Sequence, residues 1–352
     1  MSSAPVTPRK LSAVLDDRAA LAGFSRLSLA MVITNPNAPD NPIVYVNDAF
    51  ERTTGYNRSS VIGRNCRFLQ GQRTDKDDVD RIRTAVEKCR DVSVDILNYR
   101  ASGEPFLNRL IIAPILGEGG EPMYYLGLQK ELRDDESDGE FLDDSLKAIR
   151  ERVQDDLSLI LASISEPAPE RSQEDPVHEI EALPRRLDCL QLVYEEMRMS
   201  DETPGRHRID LGAMMSRVAA NVVFHECRPG IRFMQHLEQV EVSLDTSVRL
   251  ALILSEALSN AFTHAFSGLD RGLVELRVTR LAAGGLRIVV ADDGVGISKN
   301  IEWPSTATVG GRLIAALLEG LDATINVVRG AAGTIVMVDV PIDPYDLDQE
   351  GA

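Results

Sequence analysis

The stretch Gly63-Arg64-Asn65-Cys66-Arg67-Phe68-Leu69-Gln70 sets one thiol among amides and guanidiniums within about two helical turns. An isolated cysteine in a helix is ordinarily a small buried apolar residue, and reactivity requires special surroundings. Further along, Asn98, Asn108 and Gln129 fall on three successive strand-like segments. Asn98 and Asn108 are equidistant from Gly103, at the centre of one turn sequence. Asn108 and Gln129 are equidistant from a point between Glu118 and Gly119, inside the next. This spacing predicts directly opposed cross-strand neighbours, three amides in a row on one sheet face. Facing inward, they require polar partners; facing outward, they form a solvated surface. A second constellation is Glu256, Asn260 and His264, at i, i+4 and i+8 on one helix face, a spacing that a solvated polar face also shows. Asp292-Asp293-Gly294-Val295-Gly296 follows, with glycines that permit close backbone approach. No third glycine stands at the dinucleotide-fold spacing, which disfavours that fold. Thr308-Val309-Gly310-Gly311 opens a helix whose first amides can cradle a phosphate, and Gly333-Thr334 leads into a last strand.

These groups need rigid elements to hold them. Strands are predicted at Leu29–Thr34, Ile43–Val46, Val92–Arg100, Phe106–Leu116 and Met123–Lys130. Short helices are predicted at Ala49–Arg52 and Asn65–Leu69, and a longer one from Lys76 to Cys89 with Asp75 as N-cap. Apolar residues at helical spacing predict a flanking helix over 9–22, capping the next domain or making a dimer contact. The acidic stretch 131–140 reads as a linker. Helical patterns over 141–165 and about 177–200, broken by 165–176, read as a hairpin that either dimerises or packs on its neighbours in a monomer. Beyond 205 the pattern is again α/β: helices at 247–266 and 309–319, and strands at 273–280, 286–291, 323–328 and 333–340.

The chain has 352 residues, 55 acidic against 38 basic, a net charge of −17. That balance argues against a nucleic-acid-binding body and favours simple solubility. No apolar run is long enough for a membrane span, and the N-terminus lacks a signal core, so a cytoplasmic location is expected. Cys66, Cys89, Cys189 and Cys227 are widely spaced and form no CxxC pair, so four reduced thiols are expected rather than zinc or disulfides.

The octapeptide around Cys66, with Asn98, Asn108 and Gln129, resembles the LOV branch of the PAS fold, over about residues 28–131. A flavin ring edge, with alternating carbonyls and ring nitrogens, would satisfy the three amides. The resemblance implies FMN as cofactor, with Asn65, Gln70, Asn98, Asn108 and Gln129 on the flavin and Arg67 and Arg83 on its phosphate. It also implies a light-driven bond from the Cys66 sulfur to the ring. A ring nitrogen then gains a proton, and Gln129 must reverse its amide to keep a hydrogen bond.

Leu252–His264, with the glycine-bearing segments after it, resembles the N-box and glycine boxes of GHKL ATPases, in the variant of the HWE and related histidine kinases. The resemblance implies ATP with Mg²⁺. Asn260 would hold the metal, Glu256 act as base or orient water, and Asp292 read the adenine amino group. Gly294, Gly296, Gly310, Gly333 and Thr334 would complete the nucleotide site.

The sequence departs from that family at one decisive place. Related kinases carry a phosphoacceptor histidine on the first hairpin helix, where this chain reads Glu151-Arg152-Val153-Gln154-Asp155-Asp156-Leu157. Glu151 cannot store phosphate as an imidazole does. His178 is the one substitute on the hairpin; His207, His225 and His236 read as structural or surface residues. The expected class is α+β in four parts: a flanking helix at 1–27, a LOV domain at 28–131, a linker with two helices at 132–204, and a GHKL α/β sandwich at 205–345. The expected function is a blue-light receptor controlling a histidine-kinase-type module, with a response regulator or an anti-sigma-type protein as partner and a homodimer possible through the hairpin. Three outputs stay open: a kinase or ATPase using another acceptor, a light-gated pseudokinase or phosphatase-like switch that works by docking, and a dimeriser whose ATPase fold is scaffold.

Overall fold

The computed structural model describes residues 29–117, 119–132, 139–165, 176–200, 208–282, 284–297, 303–305, 308–330 and 333–341. The expected flanking helix and His178 side chain lie outside the described residues, as does most of the 131–140 linker. The chain divides into two compact units, Met1–Ser158 and Leu159–Ala352.

The first unit is built on a five-stranded antiparallel sheet in the order β2-β1-β5-β4-β3. Its strands are β1 (Ala30–Thr34), β2 (Ile43–Val46), β3 (Val92–Tyr99), β4 (Pro105–Leu116) and β5 (Pro122–Glu131). Between β2 and β3 run α1 (Asp48–Thr54), α2 (Arg58–Val61), a 3-10 turn (Cys66–Leu69) and α3 (Lys76–Glu87). Asp75 caps α3 as expected, its side chain accepting from Asp77 N. Ala30, Val32, Ile43, Val46, Phe50, Val61 and Leu69 pack into one core that anchors the 3-10 turn beside the sheet.

The register differs from the sequence expectation. Asn98 lies opposite Phe106, and Asn108 opposite Ile96, not each other. Gln129 lies opposite Leu110 rather than Asn108. The cause is turn chemistry. Gly103, at φ 84°, is the left-handed last residue of its turn rather than the centre, and Arg100 and Glu104 close the loop. In the second turn Gly120, at φ 82°, plays the same part, and a bulge between Ile115 and Leu116 moves the register once more. Each partner shifts by two positions, and side chains alternate with a period of two, so the amides keep their common face as diagonal neighbours.

Helix α4 (Gly139–Ser165) starts in the first unit. It is fastened to the sheet region by an Arg150–Asp91 ion pair and by Gln154 Nε2 donating to Pro114 O at 3.0 Å.

In the second unit, β11-β12-β10-β9-β7 form a mixed sheet whose single parallel pair is β7–β9. These strands are β7 (Ile231–Leu237), β9 (Gly272–Arg280), β10 (Leu286–Asp292), β11 (Thr324–Gly330) and β12 (Gly333–Val340). A small pair, β6 (Ile209–Asp210) and β8 (Glu241–Val242), lies apart. Helices α6 (Leu211–Glu226), α7 (Leu244–His264) and α8 (Val309–Glu319) form the second layer, with α5 (Pro176–Ser200) packed on α6 and α7. Helix α6 and strand β7 were not anticipated. The helical signal was present, because the buried Leu211, Met214, Met215, Val218, Ala219 and Val222 recur at helical spacing.

Candidate functional site

The first unit encloses a cavity of about 450 Å³ between the sheet and the segment carrying Cys66 and α3, within the usual range for a cofactor site. Asn65, Cys66, Arg67, Gln70, Arg83, Asn98 and Gln129 all line it, so residues spread over the unit meet on one space. Asn108 stands behind this wall, fully buried, and donates from Nδ2 to Asn98 Oδ1 at 2.8 Å. Its own Oδ1, and Oε1 of Gln129, are buried with no hydrogen-bond partner. Each such orphan costs about 1–3 kcal/mol if left unmet, so the face calls for donors on a ligand.

Cys66 is half-buried, its remaining surface opening on the cavity. Burial pushes its thiol up to about 12, against smaller lowering contributions from its own backbone and from Arg67. The group is therefore a protonated thiol at neutral pH, carrying both a sulfur and a proton. Asn65 holds the turn in place. Its Oδ1 accepts from Arg67 N at 3.0 Å, and its Nδ2 donates to Asp40 O at 2.6 Å. That amide is thus committed to the protein's own loop. Arg67 pairs with Asp40, and Arg83 with Asp80, each at 2.6 Å. Both pairs are largely exposed and worth at most about 1 kcal/mol, so an incoming phosphate can exchange for either aspartate. Sequence reasoning missed Asn41, which lines the same cavity with a buried, unpartnered Oδ1. Its signal was the turn-rich loop 35–42, where Asn41 takes φ 46°.

In the second unit, the Asp292 carboxylate accepts on one oxygen from Gly294 N at 3.0 Å and Thr334 N at 3.2 Å. The Thr334 side chain also supports this carboxylate. Burial raises its carboxyl above the usual range, against the opposing pull of those amides. Gly294 and Gly333 are dictated by space. A Cβ would lie 2.1 Å from Ala265 O at the first and 1.8 Å from Asp292 O at the second. Thr308 caps α8, accepting from Gly311 N at 3.1 Å. Asn260 is half-buried one turn beyond Glu256 on α7, and His264 is exposed.

Glu256 is engaged by two guanidiniums. Its Oε1 accepts from Arg185 Nη2 and from Arg186 Nε, each at 2.9 Å. Burial would raise this carboxyl, but the two guanidiniums more than offset that and hold it below the ordinary carboxylate range. A carboxylate so held is a weak proton acceptor, which of the two expected roles, base or water-orienter, leaves the second the better suited. Neither arginine was singled out in the sequence, where nothing ties positions 185 and 186 to position 256.

A family model described as a PAS domain matches residues 28–134, and one described as a histidine kinase-like ATPase domain matches residues 218–338. Blue-light-activated histidine kinase 2 of Erythrobacter litoralis is 38% identical over 323 residues, covering 91% of this chain and 92% of that protein. The blue-light-activated histidine kinase of Brucella anthropi is 49% identical over 104 residues, covering 30% of this chain and 21% of that protein. The solved structure of the Erythrobacter litoralis EL346 blue-light activated histidine kinase superposes with a TM-score of 0.69 at 37% identity, covering 91% of this chain and 97% of that one. The near-complete overlap in both directions, with a PAS cavity lined by a thiol and amides and a histidine-kinase-like ATPase fold after it, makes the chain a member of the blue-light-activated histidine kinases, photoreceptors in which a LOV domain governs an ATP-binding output module.

Proposed function

We propose that this chain holds FMN in the cavity of its first unit and Mg²⁺-ATP in its second, and that light acting at Cys66 sets the state of the ATPase module through Gln129. The observation that carries this reading is the orphaned acceptor Gln129 Oε1, buried on the wall of the cavity that Cys66 also lines, with Asn108 Oδ1 orphaned behind that wall. A bound flavin supplies blue-light absorption and an electrophilic ring carbon. Cys66 would supply the sulfur and, held as a thiol, its proton. Arg67 and Arg83 take the phosphate in exchange for Asp40 and Asp80. Gln129 offers a donor at one end of its amide and an acceptor at the other, so it can follow a change of protonation by turning over. It sits two residues from the end of β5, where Arg100 ties down Glu131.

Gln129→Leu tests this relay. It removes an unmet buried acceptor, so flavin binding and the light-induced absorbance change persist. The light-to-dark ratio of nucleotide turnover or partner binding falls to about one, because nothing distinguishes the two states downstream. A ratio unchanged from the parent protein refutes the role of Gln129.

At the output, the sequence match to the family's acceptor segment puts Glu151 where related kinases carry histidine; the side chain is exposed on α4 and paired with Arg150 at 3.0 Å. Together with the held carboxylate of Glu256, this favours a light-gated switch that binds ATP and acts on a response regulator or anti-sigma-type partner by docking, from the cytoplasm. The second reading is phosphotransfer to another acceptor. Incubation with γ-labelled ATP in light and dark decides between them. Bound but unreacted nucleotide supports the switch, and label on the chain or on a partner supports the transferase.

A further inference from the structure

Arg186 belongs to α5, outside the matched ATPase region, yet it is 2% exposed and ranks among the bulkiest fully buried side chains. A guanidinium is buried only with compensation, and its partners here are incomplete. Nε donates to Glu256 Oε1 at 2.9 Å, while Nη1 is buried with no hydrogen-bond partner. The neighbouring Arg185 has both terminal nitrogens engaged, and only its Nε is buried without a partner. Its Nη1 serves Glu226 and Ser259, and its Nη2 serves Glu256. The surroundings of Arg186 point to what is missing. A Cβ on Gly310 would lie 2.7 Å from Glu256 Oε2 and 3.7 Å from Arg186 Nη2. The buried arginine therefore stands against the glycine at the start of α8, where the first-turn amides and the helix dipole favour an anion. Thr308 satisfies Gly311 N from the other side. Arg186 Nη2 and the glycine-bearing helix start therefore face one small region, which they share with Glu256 Oε2, and phosphate oxygens fit both sets of donors.

We infer that Arg186 is a nucleotide-site residue supplied from α5: it positions Glu256 beside Gly310 and completes the cradle for the terminal phosphate of ATP. This rests on the reading of the second unit as an ATP site. Two consequences follow. The site distinguishes a triphosphate from a diphosphate through a residue that the ATPase fold itself does not carry. The seating of α5 and occupancy by ATP also favour each other, since both use the Arg186 side chain.

The test is a titration of the full chain with Mg²⁺-ATP and with Mg²⁺-ADP, for the parent protein, Arg186→Met and Arg186→Lys, with a thermal melt of each. Arg186→Met is expected to weaken ATP by on the order of ten-fold or more while leaving ADP within about two-fold, as for loss of a hydrogen-bonded charge. Arg186→Lys keeps a cation but loses the fork, and recovers part of the preference. If Arg186→Met does not fold, the ATP-to-ADP ratio of Arg186→Lys carries the test alone. Equal weakening of both nucleotides marks a purely architectural arginine and overturns the inference, as does an unchanged ratio. A parent protein that binds neither nucleotide overturns the ATP-site reading itself, an outcome visible without any variant.

Discussion

Replacing Cys66 with alanine leaves the flavin bound and abolishes the reversible bleaching of its blue absorption under illumination. The loss is complete rather than partial, because Cys66 is the one cysteine among the residues lining the cavity. Binding survives because the hydrogen-bonding face belongs to Asn98, Asn108 and Gln129, and the charged rim to Arg67 and Arg83, none of which touches the sulfur's role. The change removes one half-buried atom that faces open space, so stability falls by no more than about 1 kcal/mol. A companion expectation concerns pH. With the thiol pushed up to about 12 by burial, the charge of Cys66 is constant between about pH 6 and 9. The light reaction therefore shows no limb from thiol ionisation across that range. Absorbance spectra before and after blue light, at several pH values, check both points. Bleaching in the alanine variant, or a rise in rate through pH 8 to 9, contradicts them.

The second large effect is at Asp292. Asp292→Ala loses the acceptor shared by Gly294 N and Thr334 N, together with the carboxylate proposed to read the nucleotide. Orphaning the two amides costs about 1–3 kcal/mol each where they stay shielded from water. Nucleotide affinity falls by more than about ten-fold, and the melting temperature of the second unit drops with it. Asp292→Asn separates the contributions. It retains an acceptor for the two amides and restores most of the stability, while the changed ligand-facing group leaves affinity low. Calorimetric titration and thermal melts read the two quantities independently. Full ATP affinity in Asp292→Ala removes this carboxylate from the site.

Most of the architecture was legible because its signals are local. Turn sequences bounded β3 to β5, a capping aspartate marked α3, and α7 and α8 were both expected as helices. That the Cys66 segment and strand amides meet at one cavity was legible because the amides are tied together by sheet parity, which survived an error of two in register. Parity is robust where exact pairing is not. Turn geometry sets the pairing, and whether Gly103 sits at the centre or the end of its loop is decided by a left-handed backbone that composition alone does not reveal. What could not be read were contacts between distant stretches with no shared period. Arg185 and Arg186 look like surface charge beside Asp188 on a polar helix, and only the packing of α5 on α7 brings them to Glu256. Asn41 was hidden similarly, in a loop whose purpose sequence shows only as a turn.

The attachment of α4 to the first unit bears on how a photochemical event leaves that unit. Residues 110, 112, 127 and 129 point to the cavity, while the buried Ile111, Ala113, Leu126 and Leu128 alternate onto the opposite surface. Gln154 grips the backbone of β4 at Pro114, a residue with no N–H of its own to give the ladder, and Arg150 grips Asp91 just ahead of β3. On the proposed relay, a rearrangement at Gln129 would reach the neighbouring β4 through their shared rungs, and β4 holds the helix directly. The message thus has a short lateral route, through the thickness of a single β-layer, alongside the longer one that follows the covalent chain past Glu131.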